Sequence, residues 1–233
     1  MNDGPVTLRM EGRVAVITLD DGKVNALGPP LMTALAEALD QAEAEASAIV
    51  LAGRANRFCA GFDLNVLMSG PQQGADLFEQ GARTFQRIYG FPRPVVAACT
   101  GHALAGGALL LLCCDVRVGA QGPYRIGLNE VAIGMTLPHL GVELARDRLD
   151  PRRLTEATIL GRIYGPDEAV AVGFLDHLAA PEAVLDEAIA RAAQLATLPT
   201  PALAGTKQMV RGGTLIRLME RLEEAFEGLR TTR

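Results

Sequence analysis

The stretch from Pro94 to Glu130 holds the residues whose types and spacing could do chemistry. It begins as a short apolar strand, turns through Gly101, Ala105, Gly106 and Gly107, and enters an apolar helical run from Ala108 to Cys114 that Asp115 closes. The first backbone N–H groups of such a helix have no carbonyl one turn back, so they are free to hold an anion. Gly106 and Gly107 carry no Cβ, which lets a ligand carbonyl approach the backbone closely. This helix start therefore reads as half of an oxyanion hole, with Glu130 as the base working beside it.

Other reactive types read as structural. His102 and His139 lack metal-ligand spacing, so no metal is expected. Asp63, within the RFCAGFDL segment at 57–64, reads as fixing its own loop through backbone hydrogen bonds, and Asp115 as ending an apolar run. Cys59, Cys99, Cys113 and Cys114 lie in apolar surroundings without an evident partner base, as reduced core thiols of a cytoplasmic protein do.

The elements that must position these groups alternate between strand and helix. Arg13–Asp20 is rich in β-branched residues and stops at Asp21-Gly22. Pro29 and Pro30 start a helix whose Leu31, Ala34, Leu35, Ala38 and Leu39 recur at helical spacing through to Ala46. A strand follows at Ala48–Ala52, then the 57–64 segment, then a helix from Ala75 to Tyr89 stopped by Phe91-Pro92. From Leu144 onward the pattern is mostly helical: one helix after Pro151, one after Pro166, one from Pro181 to Leu198, and two more ending in RLMERLEEAFEGLR. A short strand is expected at Gly173–Leu178. In the last helix Leu215, Leu218, Met219, Leu222 and Phe226 form a stripe that must be covered by its own core or by another subunit. The alternation places the chain in the α/β class, with short loops carrying the chemistry.

At 233 residues and 49% hydrophobic content, the chain can bury a sizeable core as one domain with an appended element. A net charge of −5 and the lack of a long basic run argue against nucleic acid or an acidic membrane surface as partners. The N-terminal residues lack an apolar signal core, and the longest apolar run, Ala103–Cys114, is interrupted by glycines and too short to span a bilayer.

Three motifs in order, RFCAGFDL, TGHALAGGALLLLCCD and YRIGLNEVAIGM, resemble the enoyl-CoA hydratase/isomerase (crotonase) superfamily, and the later GPDEAVAVGFLDHL and Thr206-Lys207 also fit. The resemblance implies a superhelix of strand–strand–helix turns over residues 1–195, then a C-terminal helical region over 196–233 that packs on the core or a neighbouring subunit in a homotrimer or dimer of trimers. It implies an acyl-CoA thioester as substrate in fatty acid metabolism, with coenzyme A part of that substrate and no separate cofactor. The thioester oxygen would rest between the amides of Phe62 and Gly106. Ala26 and Leu27, matching an NAL element, and Ala60, Asp63 and Leu64 would line the coenzyme A region. Lys23, Arg54, Arg57 and Lys207 could meet its phosphates, although a solvated basic side chain is the default for each.

Family hydratases carry two glutamates, one of them three residues after the middle glycine of the turn. Here that position is Leu109, which should face the pocket but cannot activate water. The second position matches Glu130, allowing one extra residue in the 119–125 loop. An apolar residue followed by GLNE resembles the mitochondrial type of Δ3,Δ2-enoyl-CoA isomerase, in which one carboxylate moves a proton from carbon 2 to carbon 4. An apolar pocket around Leu109–Leu112 would exclude water and raise the pKa of Glu130. The runner-up is an enoyl-CoA hydratase, and the third reading a catalytically silent acyl-CoA-binding homologue. Acyl-chain length would depend on walls from 67–91 and 131–144.

Overall fold

The structure is a computed structural model that describes the backbone of residues 4–231 and side chains through Leu218. Val6–Glu11 (β1) and Val14–Leu19 (β2) form an antiparallel hairpin turning at Gly12, whose φ of +58° suits glycine. The chain then winds through Ala26–Leu27 (β3), Pro29–Glu45 (α1), Ala48–Ala52 (β4), Asn56–Cys59 (β5), Gly61–Phe62 (β6), Leu64–Leu67 (α2) and Pro71–Tyr89 (α3). Val95–Cys99 (β7), Gly101–Leu104 (β8), Gly106–Cys113 (α4), Val116–Ala120 (β9) and Ile126–Gly127 (β10) follow, and a 3-10 turn at Val131–Ile133 leads into His139–Arg148 (α5). The remainder is Leu154–Thr158 (α6), Pro166–Val172 (α7), His177–Ala179 (β11), Val184–Leu195 (α8) and Thr200–Thr231 (α9).

The windings build a six-stranded sheet, ordered β1-β2-β4-β7-β9-β11, and two small sheets of shorter strands, β10-β8-β5 and β3-β6. Beyond the β1–β2 hairpin the pairings between these strands are parallel. Parallel strands covered on both faces need apolar residues at successive positions, and the sequence supplies them. Ile17, Ile49, Leu51, Val95, Ala97 and Cys99 face the main core with α1, α3 and α4. Val14, Val16, Val50, Val96, Ala98 and Val118 face the opposite way, where α8 covers them with Val184, Ala188 and Ala192. This is the expected α/β spiral of strand–strand–helix turns with helices at its C-terminal end.

Several boundaries differ from expectation, each for a local reason. Gly101–Leu104 is a strand and not a turn, because it pairs with both β5 and β10. The short helix after it begins at Gly106 itself. Strand β1 was not anticipated, α3 starts at Pro71 instead of Ala75, and α5, from His139, is a helix before the first one expected, which followed Pro151. The strand near 173–178 is confined to His177–Ala179, and α8 starts at Val184. The C-terminal region is one helix, α9, where two were expected. Its Leu215 and Leu218 pack on the core of the same chain, whereas Met219, Leu222 and Phe226 lie outside the described residues.

A buried ionic cluster clamps α9 to the sheet. Asp115 accepts hydrogen bonds from the Val95 amide at 2.7 Å and Lys207 Nζ at 2.7 Å, and pairs with Arg211 at 2.9 Å. Lys207 also donates to the carbonyls of Phe91 and Arg93, and the Arg211 guanidinium lies 4.5 Å from the centre of the Tyr89 ring. Lys207 is therefore neither a solvated lysine nor a phosphate ligand: its charge is spent inside the fold. No helix among the described residues is long and apolar enough to cross a membrane.

Candidate active site

Helix α4 has only eight residues, too few to stand alone in water, and every one is buried. Burying each of Leu109, Leu110, Leu111 and Leu112 is worth about 1.5–3 kcal/mol, so tertiary packing, not helix propensity, fixes where this helix begins. Its entry is strained. Ala105 sits at φ 49°, ψ −123°, a region non-glycine residues rarely adopt. The strain is held by the Ala105 amide donating to Gly127 O at 3.0 Å while its carbonyl accepts from Ala108 and Leu109 at 2.9 and 3.0 Å. The amide of Gly106 is thus the first of the helix, and Gly106 lines a cavity of about 370 Å³.

The second donor loop lies against the first. Gly61, at φ +93°, comes so near that a Cβ there would sit 3.0 Å from Gly106 N and 2.9 Å from Ala105 Cβ. A Cβ on Gly107 would fall 2.0 Å from the carbonyl oxygen of Cys59. Glycine at these two positions lets the loops touch, which brings the amide-bearing residues Phe62 and Gly106 into one wall. Phe62 is anchored through its ring, 5.9 Å from the centres of both Phe78 and Phe85. Asp63 caps α2 by accepting from the Asn65 amide at 2.9 Å, the loop-fixing role expected of it.

Glu130 lines the same cavity. The backbone turns tightly after it, Ile133 and Met135 donating to its carbonyl at 3.1 and 2.9 Å, and its side chain is only 6% exposed. Burial pushes its carboxyl pKa above the ordinary glutamate range, and Oε2 has no hydrogen-bond partner. The oxygen of the neighbouring Asn129 amide is also unpartnered. The cavity lining has two carboxylates, Glu130 and Asp63, and the latter is engaged as a cap.

The match to proteins of known kind follows this geometry. Residues 9–228 fit the family model described as enoyl-CoA hydratase/isomerase. The chain belongs to the enoyl-CoA hydratase/isomerase family. A putative enoyl-CoA hydratase of Thermus thermophilus is 36% identical over 86% of this chain and 81% of its own length. Human mitochondrial enoyl-CoA delta isomerase 1 is 32% identical over 88% of this chain and 70% of its own length. Among solved structures, an enoyl-CoA hydratase/isomerase family protein from Pseudomonas syringae superposes with a TM-score of 0.94 at 40% identity, covering 97% of this chain and 98% of that one.

Within this family member, the cavity is lined by most of the residues singled out from sequence: Ala26, Ala60, Phe62, Asp63, Leu64, Gly106, Leu109 and Glu130. Leu27 is the exception, its side chain wholly buried behind Gly106 because β3 turns it into the core. Of the Leu109–Leu112 run only Leu109 lines the cavity; the next three leucines face the core. Lys23, Arg54 and Arg57 line an adjoining cavity of about 590 Å³ with His102, and Val24 borders both cavities. His102 Nδ1 accepts from the Arg125 amide at 3.0 Å, a satisfied structural histidine. Burial pushes the thiols of Cys59, Cys99 and Cys114 up to about 12, which leaves them inert.

Sequence reasoning missed Asn25, fully buried at φ 56°. Its amide donates to Leu19 O at 2.9 Å and Phe58 O at 3.0 Å, tying the β3 loop to the turn that carries Phe62. Asp21 completes that loop by accepting from the amides of Lys23, Asn25 and Ala26. The signal lay in the Asp21-Gly22 turn, read only as the end of a strand. No group of three or more His, Cys, Asp or Glu side chains among the described residues could hold a metal ion.

Proposed function

We propose that this chain is an isomerase that moves the double bond of a 3-enoyl-CoA thioester into conjugation. The thioester oxygen rests between the amides of Phe62 and Gly106. Glu130, ionised, takes a proton from carbon 2; the C2–H electron pair delocalises into a dienolate whose negative charge the two amides stabilise. The protonated Glu130 then returns that proton to carbon 4, leaving the double bond between carbons 2 and 3. Proton and electrons balance within substrate and glutamate, so the step consumes no cofactor, and coenzyme A enters as part of the substrate.

The observation that carries the reading is one buried carboxylate in the cavity lining, Glu130, whose Oε2 has no hydrogen-bond partner, together with Leu109 where a second acid would stand. A raised carboxyl pKa suits a group that must both accept and return a proton near neutral pH. The basic cavity next to the catalytic one supports coenzyme A as the carrier, its phosphates meeting Lys23 and Arg57, while Arg54 is paired with Asp20 at 3.1 Å. The relative named an isomerase fits the same reading.

One observation favours hydration instead. Asn129 Oδ1 and Glu130 Oε2 are two neighbouring acceptors without donors, and a water molecule could satisfy both. The test is product identification from 3-enoyl-CoA and 2-enoyl-CoA esters supplied separately. The isomerase converts the first to the second; appearance of 3-hydroxyacyl-CoA as the main product from the second would replace it with a hydratase.

A further inference from the structure

We infer that the aliphatic tail of the substrate leaves the catalytic cavity past Met135 and lies in a second, apolar groove, making the chain selective for long acyl groups. The inference rests on the proposed acyl-CoA site and extends it. The groove holds about 620 Å³ between the segment after Glu130 and α6, lined by Val131, Met135, Leu137, Val142, Leu154 and Ile159. Met135 lines both spaces, and Val131 follows the proposed base directly in sequence.

The partition between them is thin and built of side chains. Leu137, a wall of the groove, and Leu109, a wall of the catalytic cavity, converge on Gly141, where a Cβ would stand 2.7 Å from Leu137 Cδ1 and 3.5 Å from Leu109 Cδ1. Met135 is unbranched and adaptable, the side-chain type that yields to a passing chain. The catalytic cavity, at about 370 Å³, must already take the thioester, the reacting carbons and the end of the pantetheine arm.

The surface chemistry selects a hydrocarbon. Val131, Met135 and Ile159, which line one groove, are 46%, 40% and 65% exposed, an apolar surface gathered in one place. Two of the polar side chains in its lining are engaged within the chain: the Thr158 hydroxyl donates to Leu154 O at 2.6 Å, and Arg146 pairs with Glu143 at 2.9 Å, which leaves Thr136 and Thr155 beside the six apolar walls. A polar ligand or charged peptide would find little to bond there. An alkyl tail gains about fourfold in affinity per methylene it buries, from about 0.8 kcal/mol each.

The experiment compares kcat/KM for 3-hexenoyl-CoA and 3-tetradecenoyl-CoA, with competition by the saturated hexanoyl and tetradecanoyl esters. The wild type should favour the long ester by about 10²-fold or more. Ile159→Glu, at an exposed position that tolerates charge, should collapse that ratio by at least about tenfold, and Ile159→Leu should restore it. Equal selectivity in wild type and Ile159→Glu would overturn the tail site. So would a change in the assembled mass of Ile159→Glu with its chain-length ratio intact, since the groove would then be an interface between copies of this chain. Should no ester turn over while tetradecanoyl-CoA still binds more tightly than hexanoyl-CoA and Ile159→Glu erases that difference, the isomerase reading fails and the tail site stands.

Discussion

Replacing Gly107 by alanine should separate the two halves of the proposed oxyanion hole. The new Cβ would lie 2.0 Å from the Cys59 carbonyl oxygen, 2.7 Å from its carbon and 2.9 Å from its Cβ. Two of these three atoms are backbone, so no side chain can swing aside to make room. Helix α4 and strand β5 must part by about 1 Å, and displacements of that size at a reacting centre cost about 10²-fold in rate. Losing one aligned donor costs about 10²–10³-fold, or about 2.7–4 kcal/mol of transition-state stabilisation. The assay is steady-state isomerisation of a 3-enoyl-CoA, with kcat and KM separated and a thermal melt on the same samples. Gly107→Ala should lose most of its kcat and about 1–3 kcal/mol of stability from overpacking. Gly106→Ala is the control: its Cβ would meet Leu27, Gly61 and Phe62 at 3.2, 3.3 and 3.4 Å, which small shifts relieve, so its loss should be less than about tenfold. A Gly107→Ala protein with the melting temperature and kcat of the wild type would refute the reasoning.

Three further outcomes are expected. Because burial raises the carboxyl pKa of Glu130, kcat/KM should rise with pH through a value above the ordinary glutamate pKa of about 4.3. The folded state holds that proton longer than the unfolded chain, so stability should fall as pH rises from the unfolded value through the raised folded one, a slope absent from Glu130→Gln in melts across pH. Asp115→Asn strands Lys207 and Arg211 inside the fold and should cost about 3–5 kcal/mol in urea unfolding, since their side chains are each only 8% exposed. Leu109→Glu adds a carboxylate to the cavity that Glu130 lines and should raise hydration of 2-enoyl-CoA over the wild type by about 10²-fold, read as 3-hydroxyacyl-CoA formed.

The parts of this molecule that follow from local chemistry were legible in the sequence. The run of β-branched and apolar residues at Ala48–Ala52, the two prolines that start α1, and the glycines that start α4 each carry their own cause. So does Leu109, because three residues beyond Gly106 on a helix returns a side chain over the turn it came from. What was hidden depends on distant partners. Gly101 reads as a turn residue, yet its lack of a Cβ serves strand crowding: one there would fall 2.2 Å from Asn56 O. Gly141 lies under Leu137 and Leu109 inside α5, a packing role that no neighbour in sequence reveals. Two helices were expected at the C-terminal end, and one, α9, runs through Gly205, Gly212 and Gly213, pinned by Lys207 and Arg211 to residues far earlier in the chain. A lysine reads as solvated until its carboxylate, here Asp115, is known to face it.

The most direct test of the account is turnover of a 3-enoyl-CoA by Glu130→Gln beside the wild type, with acyl-CoA affinity measured on both. The wild type should form the conjugated 2-enoyl ester, and the variant should bind comparably while losing at least about 10²–10⁴-fold in kcat. A Glu130→Gln protein that still shifts the double bond at the wild-type rate would contradict it.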